Sequence, residues 1–350
     1  MKKYLNFLAI FALLVSIVKI NGQECSGYWD EWDQVASGEE TPSFFHPNVI
    51  IKRFRWDQWD DGHNNGNPNN PGSPGNPGQG NNGYNGYSVD LHLMTYNQWR
   101  GSARYGKHKD VINGSGARVV ALQEQLGLKR FNRLKKKTGR EGTFLVTDSC
   151  ANGLCQYYGI AMLWKKSEIG ISPTIYHRRV TLPQQDNYSN KAPYIIGEFS
   201  SYCVVCVHYP LVSENQVAMS DAILADPIIA SRIEDERPIY IAGDFNCDYD
   251  NEAVKRFTRD NNFYVLNDKE FSYQNGKRIF EHATKKDGSM IDLILEYNPK
   301  YNKTVSWRGI PSSFSPGWLG PCVLCNNLIC PFHVSDHFPY YVKLWFQYVY

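Results

Sequence analysis

Ile239-Tyr240-Ile241-Ala242-Gly243-Asp244-Phe245-Asn246 is an apolar run that stops on a carboxylic acid and an amide. Its length and residue types are those of a sheet strand rather than a helix. A strand that only filled a core would need neither Asp244 nor Asn246 at its end. A strand-terminating turn is the plain explanation for either residue alone.

The same pattern recurs outward from this run. Leu91-His-Leu-Met-Thr-Tyr96 ends at Asn97, Val119-Val-Ala-Leu-Gln123 at Glu124, and Cys203-Val-Val-Cys-Val207 at His208. Ile291-Asp-Leu-Ile-Leu295 carries Asp292 within it, and Asp336-His337 precedes the last apolar run. Gly159-Ile-Ala-Met-Leu-Trp164 is a further strand candidate. Helical patterns lie between them, including residues 125–137 and 252–261. Strands alternating with helices predict an α/β protein built on packed sheets. Folds of that class gather their sites at strand ends. Six such coincidences outweigh the turn explanation for the set.

The N-terminal quarter is different in kind. Lys2 and Lys3 precede an apolar run from Leu5 to Val18, and Gly22 offers a small residue for cleavage. Residues 1–22 therefore read as a signal peptide, too short and too close to the terminus for a membrane span. The expectation is a secreted, extracellular protein. Three glycosylation sequons, at Asn113, Asn187 and Asn302, agree with export. Residues 23–61 are Trp-rich and acidic, with nine acids against three bases. Residues 62–87 are nearly all Asn, Gly and Pro, which cannot bury a core and form a linker. With the signal at +3 and the acidic segment at −6, the overall +2 leaves residues 88–350 at +5. All the candidate chemistry lies in this mildly basic part. An oxidising compartment makes disulfides the expected fate of the nine cysteines, and the odd number leaves one unpaired within the chain. Cys203-Val-Val-Cys206 and Cys322-Val-Leu-Cys325 have zinc-site spacing. The first pair sits in a strand rather than a tight turn, so storage as disulfides is the preferred reading.

Tyr96-Asn97, Gln123-Glu124, Val207-His208, Gly243-Asp244-Phe245-Asn246, Ile291-Asp292 and Ser335-Asp336-His337 stand in a telling order. It resembles that of the endonuclease/exonuclease/phosphatase superfamily over about residues 88–350, and is most similar to deoxyribonuclease I and the nuclease subunit of cytolethal distending toxin. The resemblance implies a four-layered α/β sandwich, two mixed β-sheets packed face to face between helices. One position departs: Tyr158 stands near the place where deoxyribonuclease I carries a further glutamate.

Hydrolysis of a phosphodiester asks for the same residue types. It needs a water nucleophile, a base, and stabilisation of charge on the phosphoryl oxygens. A hard divalent cation supplies much of that and prefers carboxylate and amide oxygens. Glu124, with Asn97 and Asp336, is the expected ligand set for magnesium; manganese or calcium would suit the same oxygens. Asp244 and Asn246 would hold the phosphate and the attacking water, or a second metal. His208 and His337 are the candidate acid–base pair, and Asp292 would orient one of them.

Two features bear on the substrate. Residues 129–140 hold seven basic residues in twelve directly after Glu124, and Arg100, Arg104, Lys107 and Lys109 follow Asn97. Such clusters suit a polyanionic backbone without base-specific reading, and DNA is the expected substrate. A solvated helix face explains residues 129–140 equally well. Against this, Gly309 to Phe332 contains no charged residue and includes Phe314, Trp318, Leu319 and Leu324. Exposed, it would be a membrane contact and point to a sphingomyelinase-type phospholipid phosphodiesterase. Cys322, Cys325 and Cys330 favour a loop stapled to the body instead. A non-catalytic binding protein on the same scaffold predicts loss of site positions, and all eight are present.

Overall fold

The computed structural model describes residues 88–99, 105–147, 158–170, 172–186, 189–285, 287–299, 301–311 and 335–348. The readings of residues 1–22, 23–61 and 62–87 fall outside these. The elements run β1 (Ser88–Asn97), α1 (Tyr105–Gly114), β2 (Val119–Leu126), α2 (Leu128–Thr138), β3 (Glu141–Val146) and β4 (Tyr158–Trp164). Then follow α3 (Lys166–Ile169), β5 (Thr174–Asp186), β6 (Ser189–Glu198), β7 (Cys203–His208), α4 (Ser213–Leu224), α5 (Pro227–Glu234) and β8 (Ile239–Asp244). The last are α6 (Glu252–Thr258), β9 (Tyr264–Val265), β10 (Phe271–Gln274), β11 (Lys277–Phe280), β12 (Asp292–Tyr297), β13 (Tyr301–Gly309) and β14 (Tyr340–Tyr348).

Two six-stranded sheets form, in the orders β13-β14-β1-β2-β4-β3 and β5-β6-β7-β8-β12-β9. Each is mixed, with one parallel pair: β1 with β2, and β7 with β8. Parallel neighbours need a crossover between them. α1 supplies it in the first sheet, and α4 with α5 in the second. The C-terminal ends of both parallel pairs are the places where the sequence carries its polar residues.

Alternation along the strands sorts the apolar residues into three layers. Leu91 and Leu93 of β1, Val119 and Ala121 of β2, Val204 and Cys206 of β7, and Tyr240 and Ala242 of β8 meet in one cluster between the sheets. The intervening residues face outward. Met94, Tyr96, Val120 and Leu122 pack against Val111 and Ile112 of α1 and Phe131 and Leu134 of α2. Val205, Val207, Ile239 and Ile241 pack against Met219, Ile223, Ile229 and Phe257 of α4, α5 and α6. Helix, sheet, sheet, helix is the four-layered sandwich expected.

Two local readings need correction. The helix expected from residue 125 begins at Leu128, because Gln125 and Leu126 extend β2 and Gly127, at φ 57°, breaks the chain between strand and helix. Cys203 and Cys206 are free, as is Cys247, and all three are buried. An odd separation on a strand puts two side chains on opposite faces. Cys203 joins the helix-facing cluster and Cys206 the inter-sheet one, so no bridge can form. Burial pushes both thiols up to about 12. The other six cysteines lie outside the described residues.

Candidate active site

Asn97 closes β1 on its inter-sheet face, two residues beyond Thr95 in the alternation that starts at Leu91 and Leu93. Its buried side-chain amide donates across the sandwich to Asp244 Oδ2 at 2.9 Å and along its own sheet to Glu124 Oε1 at 3.2 Å. Its Oδ1 accepts the backbone N–H of Trp99 at 2.9 Å. Glu124 reaches this position through a break in the strand. Strict alternation would aim it outward with Val120 and Leu122. Instead it adopts φ 54°, and the pairing of β2 with β4 shifts between Leu122 and Gln125. Such bulges re-aim a side chain next to a site. The left-handed conformation costs on the order of 1–3 kcal/mol for a residue with a Cβ and persists only where the surroundings fix it.

The second sheet brings His208 and Asp244, which are register partners at the ends of β7 and β8. Both fall on the inter-sheet face by continuing the alternation of Cys206 and Ala242. Asp244 is buried, and three of the groups that approach it come from β1, from β7 and from its own loop. Asn97 donates to Oδ2, the Asn246 N–H donates to Oδ1 at 2.7 Å, and His208 Nε2 stands 3.7 Å from Oδ2. Asn246 sits at φ 49°, a conformation asparagine tolerates better than most residues, with its Nδ2 donating to the Tyr209 carbonyl at 2.8 Å.

Asp292, fully buried, opens β12 rather than lying inside it, directly opposite Asp244. It orients His337, not His208: Nδ1 of His337 and Oδ2 of Asp292 are 2.7 Å apart. The far nitrogen, Nε2, faces Asp244 Oδ2 at 3.7 Å and Asp336 Oδ1 at 3.9 Å. Ser335 pins this segment to β1, its hydroxyl donating to the Asn97 carbonyl at 2.7 Å and accepting the His337 N–H at 3.1 Å. Thr284 fixes the start of β12, its hydroxyl accepting the N–H groups of Ile291 and Asp292 at 2.9 and 3.0 Å, and its carbonyl accepts the Phe338 N–H at 2.7 Å. No pattern near Thr284 in the sequence marks it, because its role depends on a contact made only in the folded chain.

Burial alone would pull the His337 imidazole down. The carboxylates of Asp292 and Asp244 outweigh it and hold its pKa well above the usual histidine value. Burial pushes Asp292 the other way, up from the carboxylate range, against the pull of the imidazolium. A 2.7 Å hydrogen bond joins the pair, with Nε2 of His337 turned toward the other acids. Asp244, Asp292 and His337 bring ligand atoms within 4.8 Å of one another. His337 Nδ1 and Asp292 Oδ2 are engaged with each other, while Asp292 Oδ1 is buried without a hydrogen-bond partner. Asp336 Oδ1 is likewise buried and without a hydrogen-bond partner, an oxygen a hard cation could take. Glu124 and Asn97 meet each other at 3.2 Å.

Of the expected substrate contacts, Arg100 and Arg104 lie outside the described residues. Lys107 is half-buried in the first turn of α1, and Lys109 pairs with Asp110 at 2.9 Å. Residues 129–140 divide. Lys129, Arg133, Lys136 and Lys137 are exposed on α2, whereas Arg140 is buried and donates to the Ile112 carbonyl at 3.4 Å. Lys135, Lys136 and Lys137 occupy the last turn, opposite the end that follows Glu124. Most of the charge-free stretch from Gly309 to Phe332, residues 312–332, lies outside the described residues.

Two mixed sheets between helices, with amides, carboxylates and two imidazoles meeting at the ends of their parallel strands, define a phosphoesterase-type α/β sandwich. Residues 94–337 match the Endonuclease/Exonuclease/phosphatase family, well over half of the chain, and the chain belongs to that family, whose members are phosphoester hydrolases. Solved structures agree in fold. The human Nocturnin catalytic domain superposes with a TM-score of 0.52 at 16% identity, covering 75% of this chain and 97% of that domain. ANGEL2, a 2′,3′-cyclic phosphatase, gives 0.51 at 12%, covering 74% and 95%. An endonuclease/exonuclease/phosphatase protein from Bacteroides vulgatus gives 0.50 at 17%, covering 73% and 98%. No curated protein sequence matches the chain.

Proposed function

We propose that this protein is a secreted, divalent-metal-dependent phosphodiesterase that cuts DNA internally without reading its bases. The observation that carries the reading is the Asn97 amide, which ties Glu124 of one sheet to Asp244 of the other. Two imidazoles, His208 and His337, stand at the same 3.7 Å from that Asp244 oxygen.

Glu124, Asn97 and Asp336 would hold the cation, with magnesium the expected ion. Bound there, it would supply charge neutralisation on the phosphoryl oxygens. Asp244 and Asn246 orient the phosphate and the attacking water. Asp292 keeps His337 protonated and fixed in orientation, so that Nε2 presents a proton to a phosphoryl or leaving oxygen. His208, with its Nε2 turned to Asp244, is the candidate for accepting the proton of water. Exposed Lys129 and Arg133 on the helix that follows Glu124 favour a polyanionic substrate over a neutral lipid headgroup.

Purified protein incubated side by side with plasmid DNA and sphingomyelin liposomes, with magnesium and with chelator, tests this. Nicking of the plasmid that chelator stops is the expected result. Choline-phosphate release with intact plasmid would replace DNA by phospholipid and make residues 309–332 the membrane contact. Hydrolysis of neither would refute the reading.

A further inference from the structure

Asn246 keeps its left-handed conformation inside a loop, and three bonds hold it there. Two are its own: its N–H to Asp244 Oδ1 and its Nδ2 to the Tyr209 carbonyl. The third comes from a helix. Gln216, buried in the first turns of α4, donates from one side-chain nitrogen to the carbonyl of Asn246 at 3.2 Å and to that of Pro210 at 2.9 Å. Pro210 lies two residues beyond His208, and Asn246 two beyond Asp244. One amide group therefore joins the two loops that leave the parallel strands of the second sheet.

The neighbouring contacts act in the same direction. Tyr209 stacks on Phe245 with ring centroids 4.5 Å apart, and its N–H donates to the Asp244 carbonyl at 2.8 Å. Its hydroxyl lies 3.0 Å from the hydroxyl of Ser220, one turn along α4 from Gln216. Residues four apart share a helix face. The same face of α4 thus grips both loops, Gln216 by their backbones and Ser220 by Tyr209. Of these groups only Gln216 touches both carbonyls. A core-filling residue would not need its side-chain N–H donors, and here they are spent on the two loop carbonyls.

We propose that Gln216 is a positioning residue for the reaction, locking the loop after His208 to the loop after Asp244 and holding Asn246 in its left-handed conformation. The proposal rests on the phosphodiesterase reading. Gln216→Met keeps length and volume and removes both donors. On DNA with magnesium it should lower kcat by about tenfold to a hundredfold, as a small misplacement of a reacting group does, with KM within about twofold. If Gln216 acts through Asn246, the effects are not additive: in an Asn246→Ala background, adding Gln216→Met should cost less than twofold more. A purely structural role would give equal losses in the two backgrounds, and that result overturns the proposal. So does a Gln216→Met enzyme with kcat within twofold of wild type. If Gln216→Met does not fold, Gln216→Glu, which keeps the length and loses both donors when ionised, takes its place. Failure of both to fold makes Gln216 a stability element and ends the proposal. Wild-type protein inactive on every phosphodiester would instead refute the parent reading, and this inference with it.

Discussion

Gly243→Ala perturbs the site without touching any group placed in the chemistry. Gly243 pairs with Val207 on the parallel neighbour, one residue before both His208 and Asp244. A Cβ built there would meet the Val207 carbonyl oxygen, and would lie 2.5 Å from Val207 Cγ2 and 2.8 Å from the Val207 carbonyl carbon. Carbon atoms rest about 3.5–4.0 Å apart, so relief needs roughly 1 Å of movement. Strands stand about 4.7–4.9 Å apart, and a shift of that size would break ladder bonds between β7 and β8. Overpacking costs about 1–3 kcal/mol, and two lost hydrogen bonds add about 1 kcal/mol each. A loss of about 3–5 kcal/mol lowers the melting temperature by roughly 6–20 °C in a domain of this size. The same movement separates His208 from Asp244, now 3.7 Å apart, and should lower hydrolysis about a hundredfold. Thermal unfolding followed by circular dichroism and plasmid nicking at a temperature well below the transition measure both. A variant melting within 2 °C of wild type with normal activity would show that the strands are not held by this close approach.

Glu124→Gln should abolish magnesium-dependent hydrolysis while leaving the melting temperature nearly unchanged, because the side chain is only half-buried; near-normal nicking would remove Glu124 from the site. Asp292→Asn keeps shape but loses the charge that holds the His337 imidazolium, and kcat should fall by about 10²- to 10⁴-fold. Unchanged kcat would mean that His337 acts without its partner or not at all. Cys203 and Cys206, buried and pushed up to about 12, should resist a thiol reagent in the folded protein and react after denaturation. The same raised values make stability fall with rising pH. From about 8.5, the ordinary thiol value, the unfolded chain releases protons that the folded chain retains up to about 12. Urea midpoints that do not decline between pH 8 and pH 10 would contradict this.

The strands and their polar ends were legible because both are local. A run of β-prone residues closing on an acid or amide is visible wherever it stands, and Asp244, Asn97 and His208 continue the alternation of the strands that carry them. The layer each residue joins follows from the same period of two, which also separates Cys203 from Cys206. The expected storage of these two as disulfides does not hold, since each is buried in a different layer as a free thiol. Ser335-Asp336-His337 and Gly243-Asp244-Phe245-Asn246 were recognisable as a set, although 88 residues divide them.

Contacts between distant segments decided the rest. Glu124 is turned into the site by a positive φ that strict alternation contradicts, and only the pairing of β2 with β4 reveals the bulge. Whether Asp292 served His208 or His337 was open in the sequence; the register that sets Asp292 opposite Asp244, and the hold of Ser335 on β1, give it to His337. Thr284 and Gln216 left no local signal, since a hydroxyl or an amide in a loop or helix has many uses. Their roles exist because backbone groups from β12, from the loop after β7 and from the loop after β8 come within hydrogen-bond reach only once the sandwich has closed.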